Sequence, residues 1–355
     1  MDFLLQRVLS HNVSNLTRNY IFSLLLSRGK KNCSSMAREL GKTSEKYRIY
    51  LKNAVPETHK LESILLENAV KTINSNKKNE WNLIIDDTFI SKQYSRFIDL
   101  ASYGWDGCSK RCCIGLSIVV IAITNGKINL PVAFKSWNNL KKGTPEHKTK
   151  SEIALEILCQ LKIKLGIKKV LFDGAYCSRK TMRKLDEMGF LFTCKFARNR
   201  VIQTVDGKKT QIQKHSRLKL KRNQRKKIIC AHYKDQLLFF IAHKRRKKHG
   251  GNEVYFIVQN YWLEPDEVVK TYEKRWGIEK IFRTTKQSFG LKDCQCLEWK
   301  KQEAHFTACF VAYSEIAKNY CKIAIPVEKT LGHLRLQKHG SKVPGSLDWE
   351  NAFMN

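Results

Sequence analysis

Acidic side chains are scarce in this chain. Its 355 residues carry 32 Asp and Glu against 66 Lys and Arg, a net charge of +34. The imbalance runs through the whole length and is not confined to a tail. It favours a polyanionic partner, most simply nucleic acid. A genome rich in Lys, Asn and Ile codons is the plainer origin of the same excess. Long apolar runs are missing as well. The longest, residues 114–123, contains Gly115 and Ser117 and is too short to span a bilayer, which needs about 20 apolar residues. Residues 1–30 lack the order of basic start, apolar core and small-residue cleavage site that marks a signal peptide. A soluble, cytoplasmic protein with no membrane partner is the expectation. Paired metal-binding cysteines are also lacking. The twelve Cys include two clusters, Cys108 with Cys112 and Cys113, and Cys294 with Cys296, yet neither is a C-x2-C pair and no second pair stands at zinc-ribbon spacing. Reduced thiols are expected, many in apolar surroundings (Cys159, Cys194, Cys309).

What is present describes a packed α/β chain. Apolar residues make up 42%, an ordinary globular value, and the length suits two or three domains. Residues 1–78 read as helical, with Leu4, Leu5, Val8 and Leu9, then Ile21, Leu24 and Leu25, at helix spacing. Within them, 34–53 predicts two short helices about Gly41 to Ser44, either a helix-turn-helix that reads duplex DNA or a plain helical hairpin. A polar stretch at 74–79 marks a boundary.

The segment that follows, WNLIIDDT (81–88), is a short buried strand that runs straight into Asp86 and Asp87. Carboxylates at the end of an apolar strand are costly unless they bind something or cap the next element. Residues 113–124 and 127–134 predict strands joined by Asn125-Gly126, a hairpin-turn pair. Residues 149–165 form an amphipathic helix ended by Gly166. A second buried strand, 168–176, delivers Asp173, and Gly174 lets the backbone turn there. A helix (178–189) and a strand (190–196) complete a βαβ-like unit. Residues 198–262 alternate basic runs with short strands, an antiparallel β insertion with either a phosphate-binding or a merely solvated face. One more amphipathic helix covers 303–322, and a basic, weakly patterned tail follows from 323 to 355.

Residues 272–286 read YEKRWGIEKIFRTTK and begin after Pro265, a good first-turn residue. As one continuous helix, with Glu279 at zero, Tyr272 falls at roughly +20°, Arg275 at about −40°, Lys286 at about −20° and Arg283 at about +40°. One carboxylate thus sits among three cations and a phenol. Such a stripe is either a solvated face of i,i+4 ion pairs or a place where a carboxylate holds a divalent metal while its neighbours hold phosphate oxygens. Trp276 and Phe282, at roughly ±60°, are assigned to packing. With Asp86 (or Asp87) and Asp173, Glu279 makes three carboxylates from separate elements, a set that can hold two Mg²⁺ ions for phosphoryl transfer.

The spacing Y-x2-R-x3-E-x6-K at Tyr272, Arg275, Glu279 and Lys286 resembles the signature of DDE transposases of the bacterial insertion sequence 4 family. Asp86-Asp87-Thr88 and Asp173-Gly174-Ala175-Tyr176 resemble that family's first two acidic motifs. The resemblance covers about residues 80–315. It implies an α/β fold with an RNase H-like catalytic core at 79–322, a mixed sheet flanked by helices, interrupted by the β insertion at about 198–262. A helical N-terminal DNA-binding domain (1–78) would precede it and the basic tail (323–355) would follow. It implies Asp86, Asp173 and Glu279 as catalytic metal ligands, with Asp87 as the alternative first ligand. Tyr272, Arg275 and Lys286, with Arg283, would contact DNA. The implied cofactor is a pair of Mg²⁺ ions, with Mn²⁺ as a substitute. The implied partners are double-stranded DNA, as terminal inverted repeats and target, and a second copy of the chain on paired ends. The implied setting is the bacterial nucleoid, and the implied reaction is hydrolytic nicking followed by strand transfer. A metal-dependent nuclease of the same fold and a catalytically inactive DNA-binding relative are the rival readings.

Overall fold

The computed structural model describes residues 13–95, 97–139, 143–247, 250–318 and 326–338. The apolar positions Leu4, Leu5, Val8 and Leu9 and most of the basic tail lie outside those residues.

The expected mixed α/β architecture is present. Four helices lead the described chain, α1 (Asn15–Leu26), α2 (Cys33–Leu40), α3 (Ser44–Lys52) and α4 (Ala54–Ser75). Local chemistry explains their limits. Ser14 caps α1 and Asn32 caps α2 through side-chain acceptors, and Gly41, at φ 62°, ends α2 in the left-handed region. The turn between α2 and α3 therefore falls on the Gly41 to Thr43 stretch, as the sequence indicates. The tyrosines of α3 do not reach outward, however. Tyr47 and Tyr50 are buried, and Tyr20 of α1 stacks on Tyr50 at 4.2 Å between ring centroids. The side of α3 left to solvent carries Lys46 and Arg48.

The strands β1 (Asn82–Ser91), β2 (Ser102–Asp106), β3 (Arg111–Thr124) and β4 (Asn129–Trp137) come next. The long β3 pairs antiparallel with β1 on one side and with β4 and β2 on the other. The β3–β4 turn is closed by Asn125, whose Oδ1 accepts from the amides of Lys127 and Ile128, and by Gly126 at φ 96°. Helix α5 (Lys150–Leu165) starts on a capping box, Thr149 with Glu152, and ends at Gly166. It leads to β5 (Lys169–Phe172), which lies parallel to β1, then to α6 (Arg179–Glu187) and β6 (Leu191–Phe196), parallel to β5. The order across this half of the sheet is β4-β3-β1-β5-β6.

The basic region 198–262 extends this sheet. Its strands are β7 (Val201–Gln203), β8 (Lys209–Gln211), β9 (Lys226–Tyr233), β10 (Gln236–Arg246) and β11 (Asn252–Gln259). All are antiparallel to their neighbours, and β11 docks on β6, so one eleven-stranded sheet runs through the described residues. Tight turns fall at Gly207 (φ 85°), between β7 and β8, and at Lys234 (φ 59°) with Asp235, between β9 and β10.

Two helices follow, α7 (Pro265–Glu273) and α8 (Trp276–Ser288), then α9 (Trp299–Ala317) and α10 (Val327–Lys338). Helix α9 is buried nearly all round, against α1 and α4 on one side and β4 on the other. Hydrophobic side chains of the N-terminal helices, the sheet and α9 form a single buried cluster. The weak pattern expected after 322 is corrected over Val327–Lys338, which is helical. Arg335 there donates to the carbonyls of Leu25 and Ser288, tying α10 to α1 and to the end of α8. No described helix is long and apolar enough to cross a membrane, and every described cysteine is a free thiol.

Candidate active site

Strand β1 decides which aspartate faces what. Successive side chains leave a strand on opposite faces, so Asp86 and Asp87 point apart. Asp86 turns toward the α7–α8 junction, where Arg275 Nη1 donates to its Oδ2 at 3.2 Å, and its Oδ1 accepts from the Asp87 amide at 2.9 Å. Asp87 turns toward α5 and the turn after β5. Its Oδ1 accepts from the Tyr176 hydroxyl at 2.9 Å, and its Oδ2 pairs with Lys150.

Asp173 stands one residue past the end of β5 and opens a 3₁₀ turn, with its carbonyl accepting from the Tyr176 amide at 3.1 Å. It lies close enough to Asp86 and Tyr272 to act on both electrostatically. Glu279, in the first turn of α8, accepts from Arg275 Nη2 at 2.7 Å. One guanidinium therefore joins the first and third acidic motifs, and the second sits beside them. Arg275 is nearly buried and its Nε has no hydrogen-bond partner. Its charge lies 5.5 Å from the Trp276 ring centroid and 5.8 Å from that of Tyr272. Burial pushes the Asp86 carboxyl up to about 7, against the opposing pull of Arg275. The Tyr272 phenol is likewise raised by burial.

The stripe drawn on one continuous helix is corrected in three respects. Residues Lys274 and Arg275 interrupt the helix with i→i+3 bonds, Lys274 N to Thr271 O and Arg275 N to Tyr272 O. That tighter turn rotates Tyr272 relative to Glu279 and buries it with Ile241, Ile257, Val268 and Val269. Second, Arg275 is the cation paired with Glu279 among the described residues, and the other two expected cations stand apart from it. Lys286 lies two turns farther along α8, about 10 Å by helix rise, and donates to the Phe89 carbonyl at 2.8 Å. Lys286 opens onto a cleft of about 880 Å³ with Lys30, Arg111 and Lys292 among its walls. Arg283 opens onto a different, smaller groove, beside Lys127 and Lys280. Third, Trp276 does not serve as packing: it is 45% exposed, and its ring centroid lies 5.5 Å from the charge of Arg275 and 6.0 Å from that of Arg245.

Sequence reasoning missed two residues of this neighbourhood, Lys150 and Arg245. Lys150 reads as an ordinary helix-start lysine and Arg245 as one of many in a basic run. Neither carries a local signal of its partner. Tyr176 was visible only as part of the D-G-x-Y motif, with no role attached.

All the carboxylate donors are hard oxygen ligands, the class that suits Mg²⁺ or Mn²⁺. The raised Asp86 carboxyl fits the same chemistry, since a buried acid with too little counter-charge gains from a nearby cation. Among the described residues, no three His, Cys, Asp or Glu side chains are drawn tightly enough together to hold a metal ion outright.

Fold and site together define an α/β protein with a carboxylate centre where the parallel pairing of β1 and β5 stops. A family model described as the transposase DDE domain matches residues 77–314, well over half of the chain, and the chain belongs to that family. Membership marks it as a transposase of a mobile element, an enzyme that binds DNA. No curated protein is significantly similar to it.

Proposed function

We propose that the chain is a DNA transposase of the insertion sequence 4 type, which nicks phosphodiester bonds at its element's ends and joins the freed 3′-hydroxyls to target DNA. The observation that carries this reading is the meeting of Asp86 and Glu279 on the single guanidinium of Arg275, with Asp173 alongside. Residues from β1, the turn after β5 and α8 have no structural need to share one charge centre. The strand order β4-β3-β1-β5-β6, antiparallel on one side of β1 and parallel on the other, supports an RNase H-like core around Asp86.

In this reading Asp86, Asp173 and Glu279 hold a divalent pair, Mg²⁺ or Mn²⁺. When bound, the metal ions supply positive charge that favours the hydroxyl nucleophile and the departing oxygen. Arg275 keeps Asp86 and Glu279 in register. Lys286, held against the Phe89 carbonyl, meets DNA phosphates in the basic cleft, and the exposed Trp276 borders the same strand path. Arg283 serves phosphates on a separate face. Two copies act on paired terminal repeats, and the helical residues before β1, with the basic strands of 198–262, grip the duplex.

The test is to incubate purified protein with the DNA flanking its own gene, with and without Mg²⁺. Glu279→Gln is expected to abolish cleavage and leave end binding intact. Cleavage by that variant at the wild-type rate would show the site to be misassigned. Pre-cleaved ends that yield no joined product would make the chain a nuclease of the same fold.

A further inference from the structure

The second aspartate of β1 has a task of its own. We propose that Asp87 and Tyr176 form a clamp that sets Asp173 against Asp86, making both of them positioning residues. The inference rests on the reading of Asp86 and Asp173 as metal ligands.

Backbone pairing alone leaves that setting loose. Strands β1 and β5 pair in parallel from Leu83 with Val170 to Ile85 with Phe172, and the pairing stops there. Asp86 and Asp173 are each the next residue beyond the last pair. Past Phe172 the chain leaves the sheet in the 3₁₀ turn Gly174–Tyr176. The turn is seated on one side against β6, where a Cβ at Gly174 would stand 3.4 Å from the Lys195 carbonyl oxygen. On another side Arg200 donates to the Cys177 carbonyl. Neither contact reaches β1. The Tyr176 hydroxyl does, through its 2.9 Å bond to Asp87 Oδ1.

Both ends of the clamp are fixed. Tyr176 is 1% exposed, so its ring has no freedom to swing. The other oxygen of Asp87 pairs with Lys150, whose ammonium lies 4.7 Å from the Trp137 ring centroid. The tether is direct: Tyr176 bonds to the residue next to Asp86, and its own amide bonds to the carbonyl of Asp173. Partners of this kind, one bond behind the ligands, hold ligand orientation, and their loss commonly lowers metal affinity or activity 10- to 100-fold, roughly.

Tyr176→Phe removes one oxygen and keeps the buried ring, so the fold is expected to survive. Metal binding, read by Mn²⁺ calorimetry on the full chain without DNA, should weaken by about 10-fold or more. The Mg²⁺ concentration for half-maximal cleavage should rise in parallel, while binding of end DNA stays unchanged. Asp87→Ala should lose at least as much as Tyr176→Phe, since it also frees Lys150, and the double variant should be no worse than Asp87→Ala alone, because both break the Tyr176–Asp87 link. Asp87→Asn still accepts the hydroxyl and should recover most of the loss. Wild-type Mn²⁺ affinity in Tyr176→Phe, or additive losses in the double variant, would overturn the clamp. A lowered melting temperature with unchanged Mn²⁺ affinity would overturn it too, reducing the bond to fold support. Glu279→Gln run beside these separates the two levels: if it keeps full cleavage the functional reading itself fails, and if it is inactive while Tyr176→Phe is normal, only the clamp fails.

Discussion

Gly277 offers a test of how α8 is held at the site, independent of any substrate. It lies between Arg275 and Glu279, at the first turn of α8, where the helix touches the β3–β4 hairpin. A Cβ added there would stand 1.9 Å from Asn129 Oδ1 and 2.7 Å from its Cγ, with Thr124 Oγ1 at 3.3 Å. Asn129 is buried and accepts from Thr124 Oγ1 at 2.7 Å, while that same hydroxyl accepts from the Gly126 amide. Gly277→Ala therefore forces either the Asn129 side chain or the helix to move. Overpacking costs about 1–3 kcal/mol, and a broken buried hydrogen bond adds roughly 1–3 kcal/mol. The better helix propensity of alanine returns up to about 1 kcal/mol. The net expectation is a loss of about 1–6 kcal/mol, seen as a fall of several degrees in melting temperature. Because α8 carries Glu279, cleavage should fall as well. Asn129→Ala in the Gly277→Ala background opens the space and should restore part of both, whereas in the wild-type background it should only destabilise. A Gly277→Ala protein as stable and as active as wild type would refute the close contact, and with it the account of why the helix breaks just before this residue.

Further expectations are more direct. Arg275→Ala leaves Asp86 and Glu279 without their shared cation, so cleavage should collapse and Asp86 should become harder to ionise; Arg275→Lys should recover little, since a shorter, point-like ammonium lacks the rigid fork that sets one nitrogen on each carboxylate. End binding should weaken steeply with salt, by about 10³–10⁵ between 50 and 200 mM if six to ten phosphates are contacted, and a flat response in a filter-binding assay would remove the electrostatic argument. His305, fully buried between Tyr20 and the Gly290 carbonyl, has its pKa lowered to about 4, chiefly by burial. The unfolded chain binds that proton near 6.5, so the stabilisation is whole above that value and is lost as pH falls toward 4. It is worth about 3 kcal/mol at about 1.4 kcal/mol per unit. Asp86 acts with the opposite sign over much of the same range, since its raised carboxyl favours the fold as pH falls. The measurement is therefore a difference: His305→Gln should lose less stability than wild type between pH 7 and 4 in urea titrations, and equal losses would show the histidine to be charged in the fold.

The sequence exposed those features that depend on near neighbours in the chain. The apolar runs that lead into Asp86 and Asp173 are visible because burial and charge change within a few residues, although β1 runs on past Asp86 to Ser91 and places Asp86 and Asp87 within the strand. The turn at Asn125-Gly126 and the end of α5 at Gly166 are local chemistry as well. What stayed hidden is pairing across the fold. Nothing near residue 87 announces Tyr176 or Lys150, and nothing near 276 announces Arg245. The helical wheel failed at Lys274 and Arg275 for a related reason. It assumes a uniform period, whereas the close seat of Gly277 on Asn129 and Thr124 goes with a tighter turn there. That turn is what points Arg275 between Asp86 and Glu279. A straight helix would have shared three cations loosely along one face; the interrupted one gives two carboxylates a single guanidinium and sends Lys286 and Arg283 to separate basic surfaces. In the proposed reading the cations are divided, Arg275 at the carboxylates and Lys286 at the basic cleft, so the two charges can be altered independently. Lys286→Ala should accordingly weaken end binding with little effect on Mn²⁺ affinity, and Arg275→Ala should do the reverse; a variant pair that moved both readouts together would show the centre and the cleft to be one electrostatic unit.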